Sequence, residues 1–311
     1  MKKVKQLTLN NLARLFGTTT DDLPKICKKM IISGKFKYRT INPKEHDDTI
    51  LSVLKEIDSC VSILTSPQRK LKWEKDWKEK LNNFISNNYD PKTLIPKWVK
   101  SFRLFRINGK YAMPLDGGFE LNYPTAFLSW IFSKYLKGVD SVYEFGCGTS
   151  FNLILLAQIF PEKKMHGLDW APASKKILDL LAKKVGFSIK GHVFNMFKPN
   201  RSFRITKNSA ILNISSLEQL GKNFKPFVSF VIKSSPAIVV DVNHINEFYN
   251  PNTLFDYLAL KFEHQRGYLD GYLTYLRLLE SRGKIQIIKV HHSCLGTIYH
   301  DGFSYIIWRP L

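Results

Sequence analysis

Cysteine is scarce in this chain. There are four in 311 residues (Cys27, Cys60, Cys147 and Cys294), none in a C-x-x-C pair. That excludes a disulfide framework and leaves no zinc-ligand spacing, so no metal site is expected. Long apolar runs are also missing: none approaches the roughly 18–20 residues that cross a bilayer. The opening MKKVKQLTLNNLARLFG is basic but broken by polar residues, unlike a secretion signal, which sets the expectation of a cytoplasmic protein. Negative charge is the scarce sign, with 26 Asp and Glu against 47 Lys and Arg and a net charge of +21. Residues 1–110 hold +13 of it and the rest +8. Such a field gathers anionic partners, so an anionic partner is expected, with nucleic acid as an alternative. General lysine enrichment in an Asn- and Ile-rich chain is the plainer account.

A third glycine is missing where a dinucleotide site needs one. Residues 142–150 read VYEFGCGTS, an apolar run followed by Glu144, Gly146 and Gly148, then a helical pattern. Glycines here let the backbone turn sharply near a ligand, and the next helix presents unpaired N–H groups. A G-x-G-x-x-G fingerprint requires a small residue where this chain has Phe151, so that reading fails on bulk. Cys147, inside the turn, reads as a small spacer and not as a nucleophile.

Met165 to Leu168 read as a second strand, with Asp169 at its carboxyl end, 21 positions beyond Gly148. A carboxylate there can accept hydrogen bonds from ribose hydroxyls; its other role is to cap the helix that starts near Pro172. GHVFNMF suggests a third strand ending at Asn195, SAILNISSLEQLG a fourth with a helix start, and PAIVVDVNHI a fifth. KIQIIKVHH and FSYIIWRP follow as a closing pair, and the ten residues 293–302 between them hold no obvious helix. Alternating strands and helices at this spacing argue for a parallel α/β sheet, and the closing pair for a hairpin with an antiparallel last strand.

Through EFGCGTS, GLDWAPAS and SSLEQLG, residues 139–311 resemble a class I S-adenosylmethionine (SAM)-dependent methyltransferase, whose first motif is of the form [DE]-x-G-x-G-x-G. Ser150 stands where that motif has its last glycine. The resemblance implies a Rossmann-like α/β sheet and SAM as cofactor. It implies cofactor contacts from Glu144, Gly146, Gly148, Thr149, Asp169, Trp170, Asn195 and Met196, with Trp170 flanking the adenine and Asn195 meeting its amino group. GLDWAPAS, YLDGYLTYLRLLE and FSYIIWRP are also similar to bacterial methyltransferases of unassigned substrate, some linked to surface-polysaccharide synthesis.

Residues 1–110 are expected to form a mainly helical basic domain, and 111–138 a connecting loop and helix. Leu12, Ala13, Phe16, Gly17, Leu23 and Ile26 fall where a helix-turn-helix buries residues, as they would in any two packed helices. The second helix lacks the Arg, Asn and Gln cluster that reads base edges. HDDTILSVLKEIDSCVSIL and SPQRKLKWEKDWKEKLNNFISNN read as longer amphipathic helices. The stripe Trp73, Trp77, Leu81, Phe84 in the second is a packing seam or a substrate platform. Asn108-Gly109 between apolar runs signals a hairpin. The loop PLDGGFELNYP is either a lid over the cofactor or a linker.

Methyl transfer requires an acceptor held in line and, for a hydroxyl or protonated amine, a base. The carboxyl ends of the later strands are the place to look. His244 leads there, followed by Asp241 and Glu247 in DVNHINEF and Glu218 in SSLEQLG; His291, His292 and His300 lie further on. No Asn-Pro-Pro-Tyr motif of base amino-methylases is present. The expected activity is methyl transfer to a hydroxyl or amine of a small molecule or glycan intermediate. RNA methylation is one alternative, and a non-catalytic nucleic-acid-binding or scaffold protein is another.

Overall fold

The computed structural model describes residues 3–59, 67–96, 99 and 103–311. The chain begins with β1 (Val4–Gln6), α1 (Leu9–Leu15), α2 (Lys25–Ser33), β2 (Lys37–Thr40), α3 (Pro43–Ser59) and α4 (Pro67–Ser86). Next come β3 (Phe105–Ile107), β4 (Lys110–Pro114), α5 (Phe119–Tyr135), β5 (Ser141–Phe145), α6 (Phe151–Ile159), β6 (Lys164–Asp169), α7 (Pro172–Leu180) and β7 (Ile189–Val193). After β8 (Ser209–Ile214) follow α8 (Lys225–Ser234), β9 (Ile238–Asn243), α9 (Leu254–Arg266) and α10 (Tyr272–Ser281). The chain closes with β10 (Ile285–His291), β11 (Leu295–Thr297), β12 (Asp301–Gly302) and β13 (Ser304–Pro310).

The large sheet has the order β10-β13-β9-β8-β5-β6-β7. β5 to β9 pair in parallel, and the central strands β5, β8 and β9 are largely apolar because both their faces are covered; every residue of β5 and β8 is buried. β13 runs antiparallel to both β9 and β10. β5 and β8 are adjacent although β6 and β7 intervene in sequence, so the strand order reverses between them. Open α/β sheets bind ligands at the carboxyl ends of strands at such a switch point.

A second, wholly antiparallel sheet has the order β1-β2-β4-β3-β11-β12. Its β1, β2 and β3 lie within residues 1–110, where α1 to α4 still supply most of the regular structure, and β4, β11 and β12 join them from residue 110 onward. β11, from the excursion between the two closing strands, pairs with β3, and Asn108 N donates to Cys294 O at 2.8 Å. One apolar core joins Leu12, Phe16 and Cys27 to Phe127, Trp130, Val240 and Tyr305. Phe16 stacks on Trp130 at 5.9 Å, and Tyr305 Oη donates to Phe16 O at 2.9 Å. The apolar positions that read as a helix-turn-helix therefore pack α1 and α2 onto α5 and the large sheet. β1 and β2 escaped the sequence reading because they are short and largely exposed, with no apolar alternation.

Asn108 (φ 48°) and Gly109 (φ 71°) make the expected two-residue turn between β3 and β4. Arg106, fully buried, ties this hairpin to the rest of the molecule. Its Nε donates to Asp301 Oδ1 at 2.9 Å, Nη1 to Phe255 O at 2.9 Å and Nη2 to Asp256 Oδ1 at 3.3 Å. The first long helix of the sequence reading extends to 64; residues 60–66, and with them Cys60, lie outside the described residues.

Candidate active site at the carboxyl edge of the sheet

The turn after β5 is held by β6. Gly146 N and Cys147 N both donate to Leu168 O, at 2.7 and 3.2 Å. Asp169 receives Gly148 N on Oδ2 at 3.0 Å and Ala171 N on Oδ1 at 2.9 Å. Its carboxylate thus bridges the glycine turn to the start of α7, and each oxygen keeps acceptor capacity. Burial raises its pKa to about 6 against the pull of these backbone N–H groups. Gly146 (φ 72°) and Gly148 (φ 50°) adopt the left-handed region, as does Ser150 (φ 67°) at the place of the motif's last glycine. Gly146 serves packing: a Cβ there would stand 2.5 Å from Ser216 Cβ.

Glu144 is fully buried, with Oε1 accepting from Asn152 Nδ2 at 2.6 Å and Oε2 unpartnered. Desolvation raises its pKa to about 8, so it is protonated at neutral pH. Thr149 is buried beside the turn. Cys147 Sγ lies 3.4 Å from Ser174 Oγ, its thiol driven well upward by burial, as suits a spacer. Trp170 stacks on Phe197 at 5.6 Å. Asn195 is exposed and accepts from Phe197 N in its own turn, while Met196 is half-buried against the core that holds Phe145, Phe194 and Phe227.

The face of the turn is covered by α4, not by the loop before α5, whose Asp116 accepts from Lys37 N of β2. Trp77, stacked on Trp73 at 5.1 Å, places its ring 2.9 Å from where a Gly148 Cβ would stand. Glu74 accepts from Ala173 N at 3.1 Å, and Arg69 reaches Gln219 beyond β8. Leu81 and Phe84 continue the stripe into a core with Ile154 of α6 and Ile177 of α7. The stripe is therefore a seam along most of its length and a cover at Trp77.

On the β8–β9 side, Asn243 Oδ1 accepts from Ser216 N and Leu217 N, each at 3.1 Å, and so shapes the segment that carries Glu218. The His244 and His300 rings stack at 3.6 Å, with the Tyr268 ring 5.9 and 6.0 Å from them. Glu263 Oε1 lies 3.5 Å from His300 Nδ1. This contact has ion-pair distance but not ion-pair charge: desolvation lowers His300 to about 3 and raises Glu263 to about 8. Glu218 is raised to about 7 by burial, and His244 is driven well below its ordinary value by the same cause.

The structure places His244 just after β9 and Glu218 just after β8, at the carboxyl edge of the sheet. It adds Glu263 and His300 from α9 and the β11–β12 turn, which no motif or spacing signals. Asp241 stands apart: Tyr272 Oη and Trp308 Nε1 donate to Oδ2 at 2.6 and 2.7 Å, and Asn213 Nδ2 to Oδ1 at 2.7 Å. Glu247 Oε1 accepts from Thr274 N near the start of α10. His291 Nε2 meets Leu15 O at 2.9 Å, and His292 Nε2 meets Asp301 Oδ2 at 3.0 Å. These four side chains buttress the fold.

No family model matches the chain, and no curated protein matches it in sequence. Solved structures do match. The [4+2]-cyclase SpnF has TM-score 0.48 and 12% identity over 74% of this chain and 76% of that one. The 16S rRNA methylase ArmA has TM-score 0.44 and 15% identity over 76% and 98%. An O-methyltransferase family 2 protein from Planctomyces limnophilus, in complex with apigenin, has TM-score 0.42 and 13% identity; 61% of this chain covers 58% of that one.

Proposed function

We propose that the chain transfers a methyl group from SAM to a hydroxyl or amine of a small molecule or glycan intermediate. The observation that carries this reading is the Gly146–Gly148 turn bridged to Asp169 beside the β5–β8 switch point. The residues fit a nucleoside cofactor: Asp169 retains lone pairs for ribose hydroxyls, and the turn's main chain has no side chain at Gly148. Glu144, Thr149, Trp170, Asn195 and Met196 would complete the cofactor's surroundings, with Trp77 displaced from the turn.

When bound, SAM supplies a methyl group made electrophilic by its sulfonium. The protein's part is to exclude water, orient the acceptor and take a proton. His244, neutral and with Nδ1 unpartnered, is the proposed proton acceptor. Glu218 and Glu263, protonated near neutrality, would hold the acceptor by donating hydrogen bonds. RNA methylation is a second reading, favoured by the +13 charge of residues 1–110, and would give a steep salt dependence of RNA binding.

Calorimetric titration with S-adenosylhomocysteine, with NAD as control, tests the cofactor. Binding of the first alone is expected. Asp169→Ala should weaken it by about 1.5–3 kcal/mol, the scale of a lost hydrogen bond to a charged group, and lower Tm by freeing Gly148 N and Ala171 N. Failure of the wild-type protein to bind S-adenosylhomocysteine would end the methyltransferase reading.

A further inference from the structure

Thirteen buried side-chain atoms among the described residues have no hydrogen-bond partner, and five of them gather beyond β8 and β9. They are Glu218 Oε2, His244 Nδ1, Glu263 Oε2, Arg266 Nε and His300 Nδ1. His300 links four of them: its ring stacks on His244 at 3.6 Å, its Nδ1 is 3.5 Å from Glu263, and it lies 5.3 Å from the Phe262 ring under Arg266. Glu218 adjoins them through its electrostatic interaction with Glu263 and Tyr268. Glu218, Glu263 and His300 are 3%, 1% and 6% exposed, so bulk water does not satisfy them. Buried polar atoms are nearly always paired, and several unpaired ones around one spot call for a missing partner.

We infer that these atoms form a binding site for an uncharged, hydroxyl-bearing molecule. A hydroxyl both donates and accepts, and the site offers both kinds of partner: acceptor nitrogens on two imidazoles, and donors on Arg266 and on a protonated carboxyl. The parallel rings of Tyr268, His244 and His300 add a flat wall suited to a ring that carries the hydroxyl. An anion, the partner expected from net charge, would face two carboxyl groups. The nearby guanidinium charges are already balanced or held, Arg266 Nη2 by Glu56 at 2.8 Å and Arg69 by Gln219, so Arg266 offers its unpartnered Nε as a single donor and not an open cation. Under the methyltransferase reading, on which only this role depends, the site receives the methyl acceptor.

The test uses full-length protein labelled with ¹⁵N-histidine, in which His244→Gln and His300→Gln assign the two imidazoles. Phenol and methyl α-D-glucopyranoside are titrated separately, with inorganic phosphate as the anionic probe. At least one hydroxyl probe is expected to shift both imidazoles at millimolar concentration, and which one does so separates an aromatic from a sugar source. Phosphate is expected to leave them unmoved. In parallel, Glu218→Met, which removes a buried carboxyl whose Oε2 is unpartnered and whose Oε1 has one long bond from Gln219 Nε2 at 3.4 Å, should raise Tm by about 2 °C, whereas a structural carboxyl would lower it. Silence of both imidazoles towards both hydroxyl probes, a shift with phosphate, or a lower Tm in Glu218→Met would each overturn the inference. No arm needs SAM, so a failed S-adenosylhomocysteine titration beside a positive probe titration would reject the cofactor reading alone.

Discussion

Two buried polar groups adjoin at Asp301, and they are built in opposite ways. Around Arg106, each guanidinium nitrogen donates to an oxygen, and the charge lies 3.5 Å over the Phe255 ring. Asp301 is paired on both oxygens, by Arg106 and His292. A few residues away, Glu218, His244, Glu263 and His300 each keep an atom without a partner. The first group joins the small sheet to α9 and the end of the large one. The second makes fewer and longer bonds, such as Tyr249 Oη to Glu263 Oε1 at 3.3 Å and Gln219 Nε2 to Glu218 Oε1 at 3.4 Å. Burial is common to both, so burial alone does not mark function; an unmet hydrogen-bonding capacity does.

The largest expected effect breaks the paired side. Arg106→Met leaves Asp301 and Asp256 without their cation, and should cost about 3–5 kcal/mol, the scale for breaking a buried ion pair. Urea unfolding would measure it; a loss under 1 kcal/mol would remove the contrast between the two groups.

A pH series sharpens the comparison, because the two sides respond with opposite sign. Asp301 is held below its ordinary value by His292 and Arg106 despite burial, so its contribution is lost as pH falls below the carboxylate range. Glu218 (about 7), Glu263 (about 8) and Glu144 (about 8) are raised by desolvation. Their contribution is complete below about pH 4.5 and is lost as pH rises through 7 and 8. His244 and His300 are lowered, so their contribution is already complete above pH 6.5 and does not mask that loss. Unfolding free energy should therefore fall by roughly 4 kcal/mol between pH 6.5 and 8, and Glu144→Gln should reduce the slope. A flat profile would mean that these carboxyls are ionised and otherwise paired.

The smallest effect concerns the cover. Trp77→Ala should cost less stability than Arg106→Met, since the cover lies over a site rather than within a core. It should also tighten S-adenosylhomocysteine binding about tenfold, by removing the ring that must leave the Gly148 face. Weaker binding would make Trp77 part of the cofactor's wall instead.

Much of the large sheet was legible in the sequence. The largely apolar runs that became β5, β8 and β9 are continuous because both faces of a parallel sheet are covered, and Asp169 follows the turn at the expected spacing. Asn108-Gly109 announced its hairpin by the same kind of local rule. The small sheet was not legible: β1 and β2 carry no apolar alternation, and β3 finds β11 about 190 positions away. The two roles of α4 show the limit well. Leu81 and Phe84 behave as their spacing says, yet the same stripe leads Trp77 onto Gly148.

By itself the sequence determined the parallel sheet, its glycine turn and the acidic residue that closes it, because these follow from neighbours in the chain and from two-sided burial. Only the tertiary structure decided which polar residues are paired. Asp241 and His244 are three positions apart, but one has a partner on each oxygen and the other retains an unmet nitrogen. Pairing depends on Tyr272, Trp308, His300 and Glu263, brought in from other elements, and no local pattern encodes where those side chains end.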